Sequence, residues 1–149
     1  MQIERASQAD AASIQMLVEQ VSTQSILPDL TLQGRSAYLR FMQEEMASIF
    51  EDARYLIVKM SQGQDLMGFA ALRDGHYLSH LFVALSWQRR GVGRQLLNAL
   101  CAHARSNQIS LRSSINALGF YQSLGFQKTG PEATYQGIRY VPMRLQLRR

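Results

Sequence analysis

The sequence predicts a single layered domain of mixed α/β (α+β) class, with helices flanking a mostly antiparallel central sheet. Three observations predict it. Helical and strand-like periodicities alternate along the whole chain. Three apolar runs of strand character follow one another through short turns in its middle. The 149 residues contain no linker, repeat or low-complexity stretch, so one domain over residues 1–149 is expected.

Residues 3–6 open as a short strand. Ser7, with Asp10 three residues on, forms a variant capping box. Ile14, Leu17, Val18 and Val21 then follow at helical spacing. Pro28 and Gly34 bracket a loop expected over residues 23–34, and a second helix is expected over residues 36–52. Its apolar face carries Leu39, Met42, Met46, Ile49 and Phe50. Residues 55–60 read as a strand, residues 61–65 as a turn and residues 66–73 as a second strand. Asp74-Gly75 is a hairpin signal, which makes residues 76–83 a third antiparallel strand. A helix over residues 95–104 follows, and its buried stripe, continued back through the preceding loop, is Val92, Leu96, Leu97, Leu100 and Ala104. A short strand (109–112), a short helix (116–124) and a hairpin (126–129 with 138–147) complete the sheet.

The chemistry concentrates between the third strand and the helix after it, in Gln88-Arg89-Arg90-Gly91-Val92-Gly93-Arg94. A strand that enters a helix through two glycines exposes several backbone N–H groups at the positive end of the helix dipole, which suits an anionic phosphate. Gly91 and Gly93 let the backbone approach closely, and Arg89, Arg90 and Arg94 add positive charge. A Walker A loop is absent, and a Rossmann loop fails because Leu96 stands where its third glycine belongs.

The pattern Gln-x-x-Gly-x-Gly resembles the acyl-CoA pyrophosphate loop of the GNAT superfamily of N-acetyltransferases. Ala117-Leu118-Gly119-Phe120-Tyr121-Gln122-Ser123-Leu124-Gly125-Phe126 is similar to that family's helix and turn ending in Tyr-x-x-x-Gly-Phe. Gly130-Pro131-Glu132 and Gly137-Ile138-Arg139-Tyr140-Val141-Pro142-Met143 resemble the last hairpin of one bacterial branch. The likeness is clear over residues 73–147. It implies a GNAT-like fold and an enzyme that moves an acetyl group from acetyl-CoA, as cosubstrate, directly to a primary amine, with a small-molecule acceptor favoured and a protein amine left open. Two other readings stay open: a non-catalytic acyl-CoA-binding or regulatory module, and a small basic nucleic-acid-binding domain.

The resemblance implies roles for particular residues. The main chain of Leu81, Phe82 and Val83 would meet pantetheine and the thioester carbonyl. Gln88, Arg89, Arg90, Gly91, Val92, Gly93 and Arg94 would hold the pyrophosphate, and Ser114 stands where many members carry an Asn or Ser that touches CoA. Arg112 and Leu85 depart from the family pattern, which often has Asn and Pro there. Tyr121 matches the Tyr that protonates the leaving thiolate. The alternative for Tyr121 is a ring packed on the core. His80 is a candidate base, because imidazole exchanges protons near neutral pH. The competing role for His80 is structural. Strand alternation places it with Leu78 and Phe82, opposite Leu81 and Val83. His76 on the same face, and Glu44 and Glu45 on the second helix, are further candidates for the acceptor side.

Composition supplies the remaining bounds. The net charge of +5 suits an anionic ligand, and the scattered basic residues, apart from the loop and the terminal Arg148-Arg149, weigh against nucleic acid. A single cysteine, Cys101, rules out an intramolecular disulfide and is read as core. No signal-peptide pattern, transmembrane run or metal-ligand cluster is visible, so a cytoplasmic, metal-free protein without a membrane partner is expected. Family members often pair, so a homodimer is a possible assembly.

Overall fold

The computed structural model describes residues 2–148. Met1 and Arg149, which end the expected domain span, lie outside the described residues. The elements run β1 (Gln2–Arg5), α1 (Ala11–Ser25), α2 (Leu32–Ser48), β2 (Tyr55–Gln62), β3 (Asp65–Arg73), β4 (Tyr77–Val83), α3 (Val92–Cys101), β5 (Gln108–Ser114), α4 (Leu118–Ser123), β6 (Gln127–Lys128), β7 (Ala133–Tyr135) and β8 (Ile138–Gln146). They build one mixed sheet in the order β1-β2-β3-β4-β5-β8-β6, with β7 paired to β8. Every pairing is antiparallel except β4 with β5. This is the expected class, and the meander β2-β3-β4 is the expected run of three.

The sheet carries a core on each face. On one side α3 buries Val92, Leu96, Leu97 and Leu100 against β2, β3 and β5, and Ala104 just beyond the helix joins them. On the other, α1 and α2 bury Ile14, Leu17, Val18, Met46 and Ile49 against Ile57, Phe69 and Phe82. Ser22 of α1 and Tyr38 of α2 share a buried hydrogen bond of 2.8 Å between their hydroxyls. That bond satisfies both groups where they leave water.

Two expectations are corrected. The loop expected over residues 23–34 is mostly helical: α1 runs on to Ser25, a helical turn covers Leu27–Asp29, and α2 begins at Leu32 and ends at Ser48. Thr31 caps it, its hydroxyl accepting from the Gly34 N–H at 3.0 Å. Gly34 is therefore not a helix breaker. It sits in the first turn because a Cβ there would come within 2.5 Å of the Gly137 carbonyl oxygen in the last hairpin. Starting earlier also turns the helix face. Leu39, expected in the core, is 48% exposed, while Ala37 and Tyr38 are buried.

The second correction concerns β4. The register against β3 slips between Ala71 and Leu72, so that Ala71 faces His80 while Leu72 faces Leu78. Ser79 is the extra residue of a β-bulge. The bulge inverts the alternation below it. Leu78 joins the α3 core with Leu81 and Val83, while His80 and Phe82 turn to the α1/α2 side.

Candidate active site

The bulge and the parallel pairing open the sheet. β4 and β5 meet at a single pair, Tyr77 with Ser110, reinforced by the Ser110 N–H donating to the His76 carbonyl at 2.9 Å. Beyond that point the two strands part. The Ala84 N–H donates to Met67 of β3 at 2.8 Å. Antiparallel alternation therefore aims the main-chain groups of Phe82 at β3 and those of Leu81 and Val83 into the gap. The side chain of Phe82 points elsewhere, stacked on Phe69 at 5.7 Å.

The gap leads to the start of α3. Ala84 begins a helical turn closed by the Trp87 N–H on its carbonyl at 2.8 Å. Gln88 folds its side-chain amide back onto the Val83 carbonyl at 3.1 Å. Arg89 and Gly91 adopt left-handed backbone, with φ of 63° and 81°. Gly91 is the N-cap residue, so the N–H groups of Val92, Gly93 and Arg94 in the first turn have no partner within the helix. A Cβ on Gly91 would meet nothing, so its glycine is required by φ. Gly93 is glycine for another reason: a Cβ would lie 2.6 Å from the Phe120 ring. Arg90 lays its guanidinium over Trp87 at 5.1 Å, which ties the loop down although Leu85 replaces a proline. Arg94 reaches across to the Ser123 carbonyl at the end of α4, at 3.4 Å. Arg89 is exposed beside them.

Tyr121 on α4 is half-buried, with its ring edge-on to Phe120 at 5.2 Å and to Phe126 at 5.6 Å. Burial, with Tyr77 as an electrostatic neighbour, pushes its phenol well above the ordinary value. The packed ring and a hydroxyl held protonated are thus features of one residue.

On the α1/α2 side lies a cleft of about 530 Å³ between α2, the end of β5 and the last hairpin. Tyr38, Phe41, Glu45, Arg112, Ser114 and Tyr140 are among its walls. A smaller recess of about 300 Å³ is lined by Glu45, Arg73, Tyr77, Ser79 and Arg112. His80 lies beneath Glu45. It is 2% exposed and stacked on Phe69, with Nδ1 2.7 Å from the Ser79 hydroxyl. Its Nε2 is 2.7 Å from Glu45 Oε2, off the line of a hydrogen bond, and among the described residues it is a buried side-chain nitrogen without a hydrogen-bond partner. Glu45 reaches the open space and His80 does not. His76 is exposed and lines neither space.

Leu81, Val83 and residues 88–94 therefore gather around the gap and the helix start, whereas Ser114 lies across the sheet on the larger cleft. Sequence reasoning did not foresee the Glu45–His80 pair, the recess at Tyr77 or the Arg112–Tyr140 stack. None has a local signal, since the partners are distant in the chain. Among the described residues, no group of three His, Cys, Asp or Glu side chains is placed to hold a metal ion, and no helix is long and apolar enough to cross a membrane.

Known proteins with this architecture are numerous. A GCN5-related N-acetyltransferase from Rhodopseudomonas palustris superposes with a TM-score of 0.84 at 19% identity, covering 98% of this chain and 95% of its own. PaiA N-acetyltransferase from Thermoplasma acidophilum, solved in complex with coenzyme A, gives 0.75 at 14% identity over 98% and 99%. YncA from Salmonella typhimurium, solved with its cofactor acetyl-CoA, gives 0.65 at 20% identity over 100% and 95%. At these identities the likeness establishes the fold. The family model described as "Acetyltransferase (GNAT) domain" matches residues 26–147, most of the chain. The sheet opened beside a glycine-capped helix is thus set in a chain that belongs to the GNAT acetyltransferase family, and the protein is an acyltransferase.

Proposed function

We propose that the protein moves an acetyl group from acetyl-CoA directly onto the primary amine of a small molecule. The observation that carries this reading is the gap between β4 and β5, into which Leu81 and Val83 turn their main-chain groups, ending at the Gly91-capped start of α3. PaiA binds coenzyme A and YncA acetyl-CoA in the same fold. The first-turn N–H groups of Val92, Gly93 and Arg94 receive the pyrophosphate, with Arg89 and Arg90 neutralising its charge. Ser114, facing the acceptor cleft, is left with a role in acceptor binding.

Glu45 takes the proton from the acceptor's ammonium as it becomes a free amine. The amine nitrogen then attacks the thioester carbonyl, with the Leu81 and Val83 amides near the oxygen that gains charge. The carbon–sulfur bond breaks, the Tyr121 hydroxyl delivers a proton to the departing thiolate, and the second proton of the former amine nitrogen passes through water to restore the Tyr121 phenol. His80, shut away behind Glu45, is a positioning residue: its buried ring backs the carboxylate on the side away from the recess. The reaction takes place in the cytoplasm on this reading. Thiol release from acetyl-CoA in the presence of primary amines tests it, and Tyr121→Phe must slow that release while leaving acetyl-CoA affinity nearly unchanged.

A further inference from the structure

The two spaces on the α1/α2 side have different characters, and they share two lining residues, Glu45 and Arg112, so they meet there. The recess is polar, with Arg73, Tyr77 and Ser79 completing it. The larger cleft has aromatic and apolar walls that include Phe41, Tyr135, Ile138 and Tyr140. Phe41 and Tyr135 stack at 5.9 Å.

The charges at the junction are not spent on each other. Glu45 Oε2 lies 2.7 Å from His80 Nε2 without a hydrogen bond. Arg112 lays its guanidinium over the Tyr140 ring at 4.8 Å, and among the described residues no carboxylate pairs with it. The other cations nearby are engaged. Arg139 is forked onto Glu132 by bonds of 3.0 and 2.8 Å, and Arg40 donates to the Gln136 side chain at 2.7 Å. Arg73 lies 3.6 Å from Asp74 and over the Tyr77 ring at 4.6 Å. Of the carboxylates in the cleft, Asp29 is taken by the Asn116 side chain. Arg112 and Glu45 thus both line the junction of the two spaces, and among the described residues no ion pair joins them.

We infer that the acceptor is an α-amino acid with a large apolar or aromatic side chain, its amine at Glu45, its carboxylate on the Arg112 fork and its side chain in the aromatic cleft. This rests on the amine-acetylating reading above and adds the class of amine. A guanidinium held flat by an aromatic ring keeps its donors in the plane that a carboxylate accepts from. A dianionic phosphate would need a second uncommitted cation, and the nearby arginines are occupied. A simple alkylamine would leave the Arg112 guanidinium without a counter-charge where substrate excludes water.

The test compares L-phenylalanine, its amide and phenethylamine as acceptors, following thiol release from acetyl-CoA. The expected result is a kcat/KM for phenylalanine about tenfold or more above both analogues, expressed mainly in KM. In Arg112→Gln that ratio collapses toward one, while its melting curve reports whether the fold is kept. Equal or better use of phenethylamine, or an equal loss on both acceptors in Arg112→Gln, overturns the inference. Binding of acetyl-CoA without acetylation of phenylalanine overturns it too and leaves the acetyl-CoA reading standing. Failure to bind acetyl-CoA at all removes the reading beneath it.

Discussion

In Tyr121 a packed ring and a hydroxyl held protonated, the proposed acid, are found together, where the sequence could only set packing against catalysis. Its ring is part of the core, and the burial that packs it also raises its phenol, so the hydroxyl keeps its proton at every physiological pH. Tyr121→Phe keeps the ring and removes the proton, and kcat should fall by roughly 10²–10⁴-fold. Steady-state kinetics check it, and a loss under twofold would end the acid assignment. The raised value also sets a sign. Tyr121, and Tyr38 pushed up by burial to about 12, both hold their protons more tightly folded than unfolded. Their contribution to stability is complete below the unfolded phenol value of about 10 and is lost as pH rises past it. Melting temperature measured from pH 8 to 11 should fall above about pH 10, and the alkaline part of that fall should shrink in Tyr38→Phe. For His80, the proposed mechanism separates a base from a support. If Glu45 is the base, Glu45→Gln abolishes most turnover. His80→Gln, which keeps a polar group behind the carboxylate, should retain much more activity than His80→Leu and keep the pH profile of kcat. A profile that loses its acidic limb in His80→Gln would return the base role to His80.

At the scale of elements, glycines show what a linear reading sees and what it misses. Gly91 was legible as the glycine of a strand-to-helix turn, though the sequence suggests close backbone approach as its reason and the structure shows a left-handed φ instead. Gly34 and Gly93 were not, because what each makes room for, Gly137 in one case and Phe120 in the other, comes from far along the chain. Hence the sequence places the second helix too late, with Gly34 as the end of the loop before it. Gly34→Ala should cost about 1–3 kcal/mol, since the intruding Cβ meets backbone. Gly119→Ala, in α4 with open space around it, should be neutral or gain up to about 1 kcal/mol. Urea unfolding of the pair checks both, and similar effects at the two sites would contradict the packing argument. The bulge at Ser79 is a comparable case. Period-two alternation set the face of each β4 residue, and one extra residue in the strand moved Leu78 to the other core.

For the molecule as a whole, the class of fold was readable because its main determinants are local. The three-strand meander is written in Asp65–Arg73 and its neighbours, and the stripe on α3 is written in Leu96, Leu97 and Leu100. The glycine loop at the start of α3 was readable for the same reason. The cleft and recess proposed for the acceptor were not, since they form where α2, β4, β5 and the last hairpin converge. The central claim is that the opened sheet and the α3 start bind acetyl-CoA. The most direct measurement is a calorimetric titration of the protein with acetyl-CoA, with NADPH and ATP as controls. The account predicts selective micromolar binding of acetyl-CoA. No acetyl-CoA binding, with clear binding of either control nucleotide, would contradict it.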